Sequence, residues 1–268
     1  MAKVPVSADA KKKSYYKYYE MDIDGLTEEQ MRFVASCKGT QEEALSIHDR
    51  RKLQEPGLYP EKSGYFPLKE GGLLVAGNIP MPNVTAEMLQ WWFAWHGLDP
   101  LRYAIWDPED HFDVKLDAEG RRRALDPEVP MDQKTWGATH TVQESIGGPA
   151  DEIVIMFTEP AKLGFDNANI GTEGCEFMVA ANALMGAMKV PVVMVEAAGK
   201  VDGVMTFKAR FWVGYHIIDG EAKYMLPPEV KLPDEIAMGL IGHNIKEFTH
   251  LGKILPQVYA EESNKPMI

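Results

Sequence analysis

Two of the chain's seven histidines, His243 and His250, stand in "GHNIKEFTHLGKIL" with Glu247 between them. In a helix, residues four apart share a face one turn apart, so His243 and Glu247 can present an imidazole nitrogen and a carboxylate oxygen to one metal ion. The same spacing is also ordinary on a solvated helix. Stepping by about 100° per residue from Ile241 puts Ile245, Phe248, Leu255 and Tyr259 in one apolar stripe. His243 and Glu247 continue the track of Ile236 and Leu240, which points them inward. Lys246 and Lys253 fall in a different sector, the expected solvent side. His250 lies a turn further on, where a structural or supporting role is expected. Neither H-E-x-x-H nor its inverted form occurs, so a zinc-protease site is excluded.

One helix offers only part of a coordination shell, and two other segments hold suitable donors. In "YAIWDPEDHFDV", His111 follows Tyr103 by eight residues. In "WGATHTVQESIG", His140 and Glu144 alternate with Val142 onto one face of a strand. A bare carboxylate on an inward face needs a partner. Both segments also admit plain readings: His111 in a surface turn beside Asp107, Glu109 and Asp110, and Glu144 on a solvated face. In "FKARFWVGYHIIDG", Arg210, Trp212 and Gly214 point one way, and Phe211, Val213, Tyr215 and Ile217 the other. His216 follows the arginine and tryptophan, either as a cavity-lining proton shuttle or as a satisfied structural histidine.

The elements that must position these groups come in a simple order. "GLTEEQMRFVASCKG" and "TQEEALSIHDRRKLQ" read as short helices, each opened by a threonine followed by acidic residues. "EPGLYPEKSGYFPLKEGG" reads as a Pro/Gly-rich connection. "TAEMLQWWFAWHGL" is a helix capped by Thr85. "THTVQESI", "DEIVIMFTEP", "KVPVVMVEAAG" and "GVMTFKARFWVGYHIIDG" are expected strands, antiparallel because no helical crossover separates the last two. "CEFMVAANALMGAM" fits a small-residue helix or a packed loop. The last helix spans about 233–255. Helices, then a sheet, then one long helix describe an α+β fold whose curved sheet wraps the terminal helix and encloses a small-molecule cavity. Residues 1–70 are expected to form a helical or irregular segment, and 71–268 the main domain.

Composition removes other classes. With 45% hydrophobic and 25% charged residues the chain is an ordinary folded protein, and a net charge of −12 argues against a nucleic-acid or anionic-membrane binder. Cys37 and Cys175 are too few for a disulfide scaffold. No signal peptide or bilayer-spanning run is visible, so a soluble cytoplasmic protein is expected.

"LRYAIWDPEDH", "THTVQES" and "GHNIKEF", in this order and at these separations, resemble the zinc-dependent carbon–carbon hydrolases of acylphloroglucinols, the family of diacetylphloroglucinol hydrolase and phloretin hydrolase. The resemblance runs from about Tyr59 to Leu255. It implies a helix-grip fold similar to the birch allergen, a zinc ion held by His111, Glu144, His243 and Glu247, a polyphenolic small-molecule substrate and a homodimer. It implies too that the early segment, 1–70, adds to the cavity mouth or to dimer contacts. It also implies that Tyr103 bonds a ring hydroxyl, with His216 and Tyr215 as further cavity residues. Tyr103, His216 and Glu144 are then the expected catalytic groups. The diacetyl-specific member carries an asparagine three residues after its first histidine ligand, where this chain has Val114. That difference favours a larger acyl group, as in phloretin. Three rival readings stand beside this one: a metal-free helix-grip protein binding a hydrophobic ligand, a metal-dependent lyase or decarboxylase of phenolic acids, and a dimerisation module.

Overall fold

The computed structural model describes residues 2–227 and 229–268. Eight strands form one antiparallel sheet: β1 (Gly64–Pro67), β2 (Leu73–Pro80), β3 (His111–Leu116), β4 (Thr139–Glu144), β5 (Asp151–Thr158), β6 (Phe177–Met185), β7 (Val190–Val201) and β8 (Val204–Val213). Their spatial order is β1-β2-β8-β7-β6-β5-β4-β3. β9 (Tyr215–Ile218) and β10 (Glu221–Tyr224) form a separate hairpin. The helices are α1 (Tyr16–Glu20), α2 (Glu28–Ser36), α3 (Ala86–Trp95), α4 (Pro100–Ala104), α5 (Ala118–Leu125) and the 29-residue α6 (Asp234–Glu262).

α6 packs on the sheet most extensively at β2, and this is the helix-grip arrangement. Its apolar stripe supplies Ile241, Phe248, Leu251, Ile254 and Leu255, each almost fully buried. Phe248 stacks on Phe207 of β8 at 3.9 Å between ring centroids and meets Trp106 edge-on at 5.2 Å. Each such side chain contributes roughly 1.5–3 kcal/mol by leaving water. Close approach of helix to sheet depends on Gly77 of β2, where a Cβ would stand 2.4 Å from the Asn244 side chain. Thr85 caps α3 through the Met88 amide, as its position in the sequence predicts, and Thr27 opens α2 with a capping box to Gln30.

The sheet is covered on both faces. Leu74, Val193, Val195 and Trp212 belong to a second core under the 3-10 turn Ile47–Gln54 and the segment around Leu163 and Phe165. Consequently β7 and β8 are buried along nearly their whole length, and the usual in/out alternation of polarity is lost.

Several expectations change. "CEFMVAANALMGAM" contains β6, whose Ala181 and Ala183 keep the inner face low where α3 and the cavity need room. "TQEEALSIHDRRKLQ" becomes a 3-10 helix only from Ile47; before it the Thr40 amide donates to the Glu43 carboxylate, but the chain makes only a turn. The expected connection "EPGLYPEKSGYFPLKEGG" contains β1, so the sheet begins before position 71. The early segment also joins the main core, where Ala10, Tyr15 and Tyr18 are buried.

Candidate metal centre

Three elements deliver four donors to one point. His111 opens β3 and Glu144 closes β4, and the two are directly opposed in the strand register. The ladder shifts register between His111 and Asp113, a bulge that re-aims the start of the strand. α6 crosses above with His243 and Glu247 one turn apart. The two Nε2 atoms of His111 and His243 lie 3.3 Å apart. Glu247 Oε2 stands 3.5 Å from the His111 and 3.9 Å from the His243 nitrogen, and Glu144 Oε2 is 3.8 Å from His111 Nε2. A tetrahedral zinc with bonds of about 2.1 Å separates its ligands by roughly 3.4 Å. The donor set and its spacings therefore fit a small dication, and the donor atoms of His111, Glu144 and His243 all lie within 4.8 Å of one another.

The surroundings orient the donors. His111 Nδ1 lies 3.2 Å from the Tyr103 carbonyl, and donating there leaves Nε2 with its lone pair facing the cluster. The Tyr103 ring stacks on His111 at 4.1 Å and 6°, and its hydroxyl donates to Glu144 Oε2. Asn244 donates to Glu247 Oε1 at 3.4 Å. His243 Nδ1 has no hydrogen-bond partner, although Asp110 Oδ2 is 3.9 Å away.

Without an ion the cluster is electrostatically crowded. Burial pushes the Glu144 and Glu247 carboxyls up and the His111 imidazole well down. Burial also opposes charge on His243, but the carboxylates of Glu247, Asp110 and Glu144 outweigh it and lift that imidazole to about 10. A single imidazolium thus carries the positive charge that a dication would supply more fully.

A scan against family models matches the DAPG hydrolase PhiG domain over residues 45–260, most of the chain. The chain belongs to this family. It is 38% identical to phloretin hydrolase of Eubacterium ramulus over 98% of this chain and 95% of that protein. It is 31% identical to a 2,4-diacetylphloroglucinol hydrolase of a Pseudomonas species, over 81% of this chain and 76% of that one. Among solved structures, Ara h 8.0201 aligns with a TM-score of 0.41 and 10% identity over 69% of this chain and 97% of that one. A START superfamily protein from Mycobacterium smegmatis aligns at 0.40 and 11%, over 69% and 98%. These two likenesses are too loose to bear on the site.

For this family member, the remaining sequence expectations divide. Beside the cluster is a cavity of about 60 Å³, walled by Phe93, Trp106, Phe157 and Phe211 and reached by Tyr103, Glu144, His243 and Glu247. Leu240 lines it too, and Ile236 lines an adjoining pocket of about 160 Å³ that shares Glu144, so the inward track of α6 is as expected. His140, Val142 and Glu144 all face the cavity. His216 does not line it. Its Nε2 contacts the Ala183 carbonyl at 2.9 Å, on the side of the sheet that Trp212 shares. The strand alternation does not carry through to His216: β8 ends at Val213, Gly214 takes a left-handed φ of 101°, and His216 belongs to the separate β9–β10 hairpin, while Phe211 lines the cavity. Tyr215 is likewise in the outer core. Lys246 is not on a solvent side: the turn after Trp106 folds over it, and Asp107, Glu109 and Asp110 pair with it at 3.2, 3.0 and 2.6 Å. His250 is buried outside the cluster, its Nε2 without a partner.

Two groups in the cavity escaped sequence reasoning. His96, at the end of α3, contacts the Trp92 carbonyl through Nδ1 and packs edge-on to His140 at 5.3 Å. Glu196 is a buried carboxyl in the middle of β7. Its available signal is a lone acidic residue inside the apolar run "VPVVMVEAAG".

Proposed function

We propose that the chain hydrolyses the bond between the aromatic ring and the acyl carbonyl of an acylphloroglucinol of phloretin type, using a zinc ion held by His111, Glu144, His243 and Glu247. Family membership makes it a hydrolase acting on carbon–carbon bonds in ketones; the substrate, the metal and the division of labour are the proposal. The observation that carries it is the convergence of two imidazoles and two carboxylates at 3.3–3.9 Å on the edge of a buried, aromatic-walled cavity.

The bond to be broken is inert while the ring is aromatic, because the leaving group would be an aryl carbanion. Hydroxyls ortho and para to the acyl group permit a keto tautomer, which turns the substrate into a β-dicarbonyl compound. Water adds to the acyl carbonyl, and collapse of the tetrahedral adduct releases phloroglucinol as its enol with a carboxylic acid. A bound zinc ion supplies Lewis acidity and a lowered water pKa for this chemistry.

The protein's own groups prepare that step. Tyr103 is held by its stack on His111 and by donation to Glu144, and stands where a ring hydroxyl can join the same hydrogen-bond chain. Glu144, linked to that hydroxyl, is the carboxylate best placed to accept a proton when the metal is bound. The aromatic walls exclude water from the ring, and the adjoining pocket past Glu144 gives the acyl chain a direction in which to extend. A trihydroxybenzene ring needs more room than about 60 Å³, so lining side chains rotate to admit it.

His243→Ala removes one nitrogen donor and should abolish both metal content and turnover. Elemental analysis and product assay of the purified variant test this; retained zinc with full activity contradicts the ligand set. Wild-type protein that holds no metal at all would instead favour the metal-free binding reading.

A further inference from the structure

One buried acid in the cavity stands out. Glu196 is 4% exposed, lies on the inner face of β7 two residues after the cavity-lining Met194, and its Oε2 has no hydrogen-bond partner among the described residues. Its register neighbours are Val179 on β6 and Ala209 on β8, which offer no polar side chain. It opens into the same cavity as Glu144, His243 and Glu247. It is not one of the four proposed donors, and it lies outside the grouping of His111, Glu144 and His243.

An orphaned carboxyl in an apolar wall is costly to fold around unless something else meets it. Burial favours its protonated form, raising it to about 8, with the Glu144 charge adding to the effect. It therefore has a proton to give in the place where a hydroxylated ring would sit.

We propose that Glu196 is a catalytic residue that contacts the substrate ring and moves the proton between a ring hydroxyl and the ring carbon bearing the acyl group. The inference rests on the acylphloroglucinol reading above and assigns it a proton donor in place of the expected His216. The carboxylic acid delivers its proton to the acyl-bearing carbon as the electron pair of the neighbouring enol moves to that carbon. The ortho hydroxyl becomes a ring ketone and its proton passes to the Glu196 carboxylate, which regenerates the acid. The ring is then neutral, non-aromatic and ready for water addition. In the collapse, the electrons of the carbon–carbon bond move into the ring ketone, and the enol formed takes its proton from the tetrahedral adduct. No other reactant is consumed than water.

The test is steady-state kinetics on phloretin with wild type, Glu196→Gln and Glu196→Asp, alongside zinc analysis and thermal melting. Glutamine keeps the size and hydrogen bonding of the side chain but cannot transfer the proton. It should lower kcat by at least about a hundredfold while KM stays within about threefold and zinc content is unchanged. Aspartate, which retains the acid, should keep more of kcat than glutamine and serves as the comparison if glutamine does not fold. In parallel, infrared difference spectra on adding phloroglucinol should show a shifted protonated-carboxyl band that Glu196→Gln lacks. Wild-type kcat in the glutamine variant, a change in KM alone, or absence of that band overturns the assignment to Glu196 while leaving the functional reading intact. Wild type inactive on every acylphloroglucinol overturns the functional reading and this inference with it.

Discussion

The Tyr103 hydroxyl, donating to Glu144 while its ring lies flat on His111, ties two proposed ligands to one side chain. Burial raises the phenol well above its usual range, with the Glu144 charge reinforcing the shift, so it stays a donor at all working pH values. Tyr103→Phe keeps the stack but frees Glu144. We expect kcat on phloretin to fall roughly 10–100-fold with zinc retained, measured by steady-state kinetics and elemental analysis; an unchanged kcat would remove Tyr103 from the mechanism. At this scale the helical turn shared by His243 and Glu247 is legible in the chain, whereas His111 and Glu144 join them only through the family resemblance. Glu196 is not legible, because one carboxylate in a long apolar run looks the same whether it lines a cavity or ends a strand.

α6 sets the site through its distance from the sheet. Gly239 is where the helix passes the β4–β5 connection, and a Cβ there would stand 2.6 Å from the Ile146 carbonyl, a backbone atom two residues beyond Glu144. Gly239→Ala must push the connection or the helix aside. The expected result is a loss of roughly 1–3 kcal/mol in urea unfolding together with weaker zinc retention, because Glu144 and His243 are displaced relative to each other. A variant with native stability and metal content would show that the two elements move independently of the site. The 3.6-residue period of α6 was readable, and its inward track holds in the structure. The strands were less so. The pattern runs on through Gly214 without showing that the chain leaves β8 there, so alternation could not place His216, which lies in the separate β9–β10 hairpin. Lys246 went astray for a related reason: the acidic turn that covers it lies far away in sequence.

Among the described residues of the whole molecule, burial lowers the pKa of four histidines, His111 in the cluster and three outside it. Burial takes His96 and His250 down to about 4 and His140 well below its usual value. In the unfolded chain these imidazoles titrate near 6.5, so the unfolded state takes up protons first as pH falls. Stability is fully present above about pH 6.5 and is lost as pH drops toward 4, by as much as about 3 kcal/mol for His96 alone. The raised carboxyls of Glu196 and Glu144 act in the opposite sense above about pH 4.5, so the histidine effect shows as a difference between variants. On lowering the pH from 7 to 5, the urea midpoint of wild type should move downward relative to that of His96→Gln, and parallel profiles would mean that His96 gains its proton without unfolding. The order of helices, sheet and long terminal helix was legible from periodicity alone, but the two-sided burial of the sheet was not, since it depends on the early segment folding back over it.

The central claim is that a metal held by His111, Glu144, His243 and Glu247 serves hydrolysis of an aryl-ketone carbon–carbon bond. The most direct measurement incubates the purified protein with phloretin and follows products by chromatography, with and without a chelator. The account predicts equal amounts of phloroglucinol and 3-(4-hydroxyphenyl)propanoic acid, abolished by the chelator and restored by added zinc. Turnover that persists undiminished in a protein stripped of metal would contradict it.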